Sequence, residues 1–128
     1  MVEVKKVEDV VWMIPKEAKS CMKVPAYIYA DEFLLNKMRE DATLDQAANV
    51  ACLPGVEVAS YTLPDGHQGY GFPIGGVAGM NVDYGVVSPG GVGYDINCGV
   101  RVLRTDLTVK DVKPVLKRLV DAIFSNVP

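Results

Sequence analysis

The chain has 128 residues, of which 49% are apolar and 23% charged, and a net charge of −3. That is one ordinary domain with enough apolar content for a real core, so disorder of the whole chain is excluded. The acidic balance also excludes a strongly basic nucleic-acid module, and no apolar run approaches the ~20 residues of a membrane span.

The N-terminal residues Met1–Lys6 lack the apolar stretch and cleavage site of a signal peptide, so a cytoplasmic location is expected. The cysteines are Cys21, Cys52 and Cys98, an odd count with no CxxC spacing, which argues against a disulfide framework and a self-contained zinc ribbon. Cys21 and Cys52 are expected to be buried as small hydrophobes. His67 is the one histidine, so several imidazoles cannot meet at a metal within this chain.

Taken in chain order, Val2, Val4 and Val7 alternate with charges, the pattern of an edge strand or extended arm that runs on to Pro15. Val24–Tyr29 reads as a short strand. Asp31 is placed as the N-cap of a helix over 32–40, in which Phe33, Leu34, Lys37 and Met38 follow at helical spacing. Thr43 and Gln46 match a capping box for a second helix over 44–52, stopped by Pro54-Gly55. Val56–Thr62 alternates as a strand.

The composition then changes. Eleven of the twelve glycines lie between Gly66 and Gly99, and no Lys or Arg occurs there before Arg101. Apolar residues such as Phe72, Ile74, Val77, Met80, Val86 and Val92 are interleaved with them, which predicts tightly packed short strands and turns rather than a linker. Val100–Thr105 alternates as a further strand. Asp111 is placed as the cap of a final helix, with Pro114 in its first turn. Val112, Val115, Leu116, Leu119, Val120, Ile123 and Phe124 form its apolar stripe. The chain stops directly after this stripe, at Asn126-Val127-Pro128, and is expected to be a truncated protein.

Two clusters can carry chemistry. Asp65 and His67 sit two residues apart on a turn, where a carboxylate can orient or share a proton with an imidazole; an Asx-turn with a structural histidine explains the same residues. Asp95 and Cys98 supply a hard oxygen and a soft sulfur one turn apart between glycines, which suits a divalent cation; a buried cysteine beside a turn-forming aspartate is the plainer reading. Gly90-Gly91-Val92-Gly93 can cradle a phosphate, but lacks the lysine of a Walker motif and the dinucleotide spacing. Arg101 and Arg104 suit a nucleic-acid face or simply a solvated strand.

The strings PDGHQGYGFPIGGVAG (64–79) and SPGGVGYDINCGVR (88–101) resemble the RtcB family of RNA ligases. MKVPAYIYADE (22–32) and DATLDQAANVACLPG (41–55) are similar to the same family's N-terminal region, so the resemblance runs from about residue 12 to Pro128. It implies GTP- and manganese-dependent joining of RNA 2′,3′-cyclic phosphate or 3′-phosphate ends to 5′-hydroxyl ends, as in tRNA exon joining and RNA repair. In the family a histidine is guanylylated, GMP passes to the RNA 3′-phosphate, and the 5′-hydroxyl displaces it. An archease protein often assists.

Residue by residue, the resemblance makes Cys98 a ligand bridging two manganese ions, makes Asp95 a ligand to one of them, and makes Asp65 an acid near the RNA 5′-hydroxyl. His67 and Gln68 receive no step. The family's remaining metal histidines and its guanylylated histidine have no counterpart here, and Cys21 stands near a position where glycine is expected. The chain is therefore expected to be the N-terminal part, residues 1–128, of a single catalytic domain, partnered by RNA and by the missing C-terminal portion. The expected fold is α+β, with mixed short β-sheets around the Gly-rich segment and flanking helices. Two rival readings are a thiol- or metal-dependent hydrolase using Cys98 with His67, and a non-catalytic module that binds RNA or a partner.

Overall fold

The computed structural model describes residues 2–93, 96 and 99–127. It divides into two units, Met1–Ile96 and Asn97–Pro128.

In the first unit, strands β1 (Lys5–Glu8), β2 (Val11–Ile14), β3 (Ala26–Tyr29), β4 (Val56–His67) and β5 (Ile74–Met80) pair in that order in one sheet. All neighbours are antiparallel except β3 and β4, which run parallel. Parallel neighbours need a long crossover. Here it carries helices α1 (Glu32–Arg39) and α2 (Thr43–Val50). The α+β expectation is met, with one mixed sheet among the described residues. Of the edge strand or extended arm expected up to Pro15, the edge strand forms as β1, and the stretch folds into a hairpin in which Lys6 pairs with Trp12 and Glu8 with Val11. Its turn falls near Asp9-Val10, which carries none of the glycine chemistry that marks a tight hairpin in sequence.

Alternation decides the buried face. Trp12 pairs with Ile28 and Ile14 with Ala26, so all four point to one side. Leu35 and Met38 of α1 and Leu44, Ala47, Ala48 and Ala51 along α2 close over them. Alanines let α2 approach the sheet closely. Trp12 keeps its indole N–H satisfied by donating it to the Ala30 carbonyl at 2.9 Å. Asp31 caps α1 as expected, its carboxylate accepting from the Leu34 N–H at 2.8 Å.

The capping box expected at Thr43 and Gln46 does not form. Ala42 is the N-cap of α2, without a side-chain cap, and Thr43 already lies inside the helix. Gln46 is drawn away to another partner, described below. Cys21 and Cys52 are not separate buried hydrophobes: a disulfide joins them across 31 residues. Chain folding brings the two together, and cysteine count alone cannot report that.

β4 runs five residues past the expected end at Thr62, with its register slipping between Thr62 and His67. The glycine-rich segment supplies β5 and the short helix α3 (Pro89–Val92). Gly55, at φ +78°, has its missing side-chain position filled by the Gly85 backbone, and a Cβ at Gly85 would in turn meet the Asn81 backbone.

In the second unit, the strand expected over Val100–Thr105 does not form. Residues 99–105 are exposed and lie in no ladder among the described residues. Alternation makes a strand only where a neighbour takes up its amides. The final helix also begins differently. Thr108 caps α4 (Val109–Val112), and Asp111 reaches back to accept from the Thr108 N–H at 2.8 Å. Pro114 falls in a 3-10 turn, Lys113–Val115, which separates α4 from α5 (Leu116–Asn126). The stripe on α5 is exposed, Phe124 most of all.

Ile28 is fully buried at the centre of the sheet. Ile28→Ala is expected to lower unfolding free energy by about 2–5 kcal/mol in urea titration, the usual cost of a cavity at such a position.

Candidate functional site

The end of β4 carries Asp65 and His67, both exposed. Three glycines shape their surroundings. A side chain at Gly66 would meet the Thr62 methyl at 2.6 Å and the Met38 methyl at 2.8 Å, so the strand here is pressed against α1. Gly75, on β5, has φ +71°, and a Cβ there would lie 2.5 Å from an Asp65 carboxylate oxygen. The carboxylate therefore occupies the space above Gly75. Gly71, at φ +84°, serves the connection between the strands.

His67 Nδ1 lies 2.8 Å from the Asp65 main-chain oxygen. With the proton on Nδ1 the ring donates to that carbonyl and leaves Nε2 as its acceptor. The imidazole is thus oriented by the Asp65 backbone and not by its carboxylate. Of the two readings open for this pair, a structural histidine hydrogen-bonded within the turn agrees with this geometry, and a ring held by the Asp65 carboxylate does not.

The loop following β4 is gripped by residues that sequence reading missed. Asp41 accepts from the Gln68 N–H at 2.9 Å through one oxygen, and from the Thr43 N–H at 2.8 Å and the Thr43 hydroxyl through the other. The Ala42 N–H donates to the Gln68 side-chain oxygen at 3.2 Å. Gln46 binds Gly69 in both directions, accepting its N–H at 2.9 Å and donating to its carbonyl at 2.8 Å. The start of α2 and the PDGHQG loop are therefore locked together by paired backbone and amide bonds. The signal in the sequence was Gln46 itself, a polar side chain buried among Leu44, Ala47, Ala48 and Val50 of α2. It suggested a capping box because the true partner is 23 residues away.

Asp41 feels opposing influences. Partial burial raises its pKa, but hydrogen bonds from Thr43 and Gln68, together with the charge of His67, outweigh this and hold the carboxyl below its ordinary value. A lowered folded pKa contributes stability that is present above the unfolded value and lost as pH falls through the folded one.

Asp95 and Cys98 lie outside the described residues. Among the described residues no group of three or more His, Cys, Asp or Glu side chains converges on a metal position. The phosphate-cradle reading of Gly90–Gly93 finds two of its donors committed: the N–H groups of Gly91 and Val92 both go to the Ser88 carbonyl, at 3.0 and 3.2 Å. Ser88 caps that short turn, its hydroxyl accepting from Gly91.

The fold and this loop define an α+β chain that presents a carboxylate and an imidazole on a strand end clamped by a neighbouring helix. The family model for the tRNA-splicing ligase RtcB matches residues 46–128, which takes in the loop and both glycine-rich motifs. The chain belongs to the RtcB family. It is similar to a tRNA-splicing ligase RtcB of Aeropyrum pernix, 62% identical over 130 residues, covering 100% of this chain and 27% of that protein. A tRNA-splicing ligase RtcB of Pyrobaculum aerophilum is 61% identical over 127 residues, covering 99% of this chain and 26% of that protein. One of Pyrococcus furiosus is 58% identical over 105 residues, covering 80% of this chain and 11% of that protein. The chain spans about a quarter of the length of the first two relatives.

The Asp41 clamp gives a pH dependence. Unfolding free energy is expected to fall as pH drops below the ordinary carboxylate value, about 3.9, and on through the lower folded value, as the carboxyl is protonated. Asp41→Asn is expected to flatten that loss and to cost about 1 kcal/mol at neutral pH, a small figure because the carboxylate is solvent-exposed. Urea titrations of both proteins across this pH range check it.

Proposed function

We propose that this chain acts as the N-terminal part of a GTP- and manganese-dependent RNA ligase. The enzyme joins 2′,3′-cyclic phosphate or 3′-phosphate ends of RNA to 5′-hydroxyl ends, in tRNA splicing and RNA repair. The observation that carries this reading is the family match over 46–128, which includes both PDGHQG and GYDINCG. The relatives' names support the same activity.

In this reading Asp95 and Cys98 hold manganese. Their donor chemistry fits: a carboxylate oxygen and a thiolate sulfur three residues apart in sequence would offer a hard and a soft ligand to a divalent cation. When bound, such a pair supplies positive charge that steadies phosphate oxygens during displacement. Asp65 serves as the acid near the RNA 5′-hydroxyl. Its carboxylate stands over Gly75, and the Asp41–Gln46 clamp fixes the loop beside it, so its position costs little reorganisation. A carboxylate here can hold the hydroxyl proton as the oxygen turns toward phosphorus.

RNA is the substrate class, GTP the second cofactor, and an archease-like protein and the rest of the polypeptide are the partners. The setting is cytoplasmic; no helix among the described residues is long and apolar enough to cross a membrane. The guanylylated histidine of the family has no counterpart in the chain, whose one histidine, His67, stands in another motif.

Manganese titration followed by electron paramagnetic resonance tests the metal assignment. Asp95→Ala and Cys98→Ala are each expected to weaken binding by roughly tenfold or more, since even outer partners of a metal site cost 10–100-fold. Binding that survives both substitutions unchanged overturns it. Incubated with GTP and manganese, the 128-residue chain is expected to gain no GMP by intact mass; a stable adduct would contradict this assignment of roles.

A further inference from the structure

The Cys21–Cys52 disulfide stands apart from the residues assigned above. Its Cα atoms are 5.0 Å apart, a spacing that cystine side chains close readily. Cys21 is exposed, in the turn before β3, and Cys52 is half-buried in the turn that ends α2. The backbone alongside is tied to the same helix. The Lys23 N–H donates to the Ala51 carbonyl at 2.8 Å. Lys19 donates to the Asn49 side-chain oxygen at 2.8 Å and pairs with Asp45 at 3.4 Å.

α2 needs such ties. It has eight residues and an N-cap, Ala42, whose side chain cannot cap it, and eight is fewer than the ~12–15 that an isolated helix requires for even marginal stability. Its first turn carries Gln46, which grips Gly69 beside the Asp65 strand. The bridge at one end of α2 and the clamp at the other are therefore joined by a single short helix.

We propose that the Cys21–Cys52 bridge is a reversible redox staple that sets how firmly α2 holds the Asp65 loop. The inference concerns the loop's rigidity and stands whether or not the ligase reading holds. The reductant is a small monothiol of the glutathione class. Its thiolate attacks the exposed Cys21 sulfur, the S–S bond breaks, and Cys52 leaves as a thiolate that takes a proton from water. A second thiolate attacks the mixed disulfide and frees Cys21. Two thiols give up two electrons and end as one disulfide, while the protein gains two S–H groups. The reduced state is accommodated, because Cys52 Sγ lies 3.3 Å from the Ala48 carbonyl, an acceptor for its S–H. What is lost is the closure of the 31-residue loop, which opens the unfolded ensemble. In a reducing compartment such an exposed bridge acts as a sensor more than as a permanent brace.

The purified chain is unfolded in guanidinium without reductant and alkylated. One cysteine is expected to react, against three after reduction, and peptide mapping is expected to find Cys21 joined to Cys52. The native protein is then followed with and without dithiothreitol. Reduction is expected to lower Tm by about 10 °C. It is also expected to speed amide hydrogen exchange at Gln68 and Gly69 on the order of tenfold, as local opening becomes easier. The double variant Cys21→Ser/Cys52→Ser is expected to behave as the reduced protein and to ignore dithiothreitol. If that variant does not fold, the wild-type comparison carries the test. Three reactive thiols before reduction, a bridge to Cys98, or exchange at Gln68 and Gly69 that does not respond to reduction overturns the proposal.

Discussion

The reciprocal pair of bonds between the Gln46 amide and the Gly69 backbone is the contact on which the loop geometry depends. A primary amide carries one acceptor and two donors, so a single side chain can replace a missing strand neighbour for a peptide group. Gln46 does this for a glycine that has left the β4–β5 ladder. One residue earlier Asp41 supplies the acceptor half alone, taking up the Gln68 N–H. A buried amide with a fully matched partner is rigid because every competing arrangement leaves a polar group unsatisfied. The aspartate and histidine of the loop thereby sit on a fixed strand end, although each is exposed.

That clamp gives the crossover a second purpose. A β–helix–helix–β connection is needed for two parallel strands to lie side by side, and α1 and α2 supply it. The same helices present Met38 to the strand at Gly66 and Gln46 to the loop at Gly69. Core packing and site positioning therefore share one structural element. A disturbance at either end of α2 is felt at the loop, because the helix is too short to act as its own support.

The exposed apolar residues of α5 fit the same picture. Leu116, Leu119, Val120, Ile123 and Phe124 repeat at helical spacing on a face open to solvent. The pattern is the apolar side of an amphipathic helix.

Much was determined by sequence alone, wherever the physics is local. Asp31 caps α1 because its carboxylate needs only an amide three residues on. The alternation of β3 and the first half of β4, and the stops at Pro54-Gly55, depend on neighbours within a few residues. The RtcB motifs were legible as continuous strings, and the family match agrees with them. What tertiary structure decided involves partners distant in sequence. Gln46 matched a capping box until Gly69 claimed it; Cys21 and Cys52 read as lone hydrophobes until the crossover brought them together; Asp65 and His67 read either as a side-chain pair or as a turn with a structural histidine until the strand aimed the ring at a backbone carbonyl. Val100–Thr105 alternates like a strand and forms none among the described residues, because a strand requires a neighbour that periodicity does not specify. Hydrogen bonds and disulfides are short-range in space, and only the folded path of the chain determines which residues come within that range.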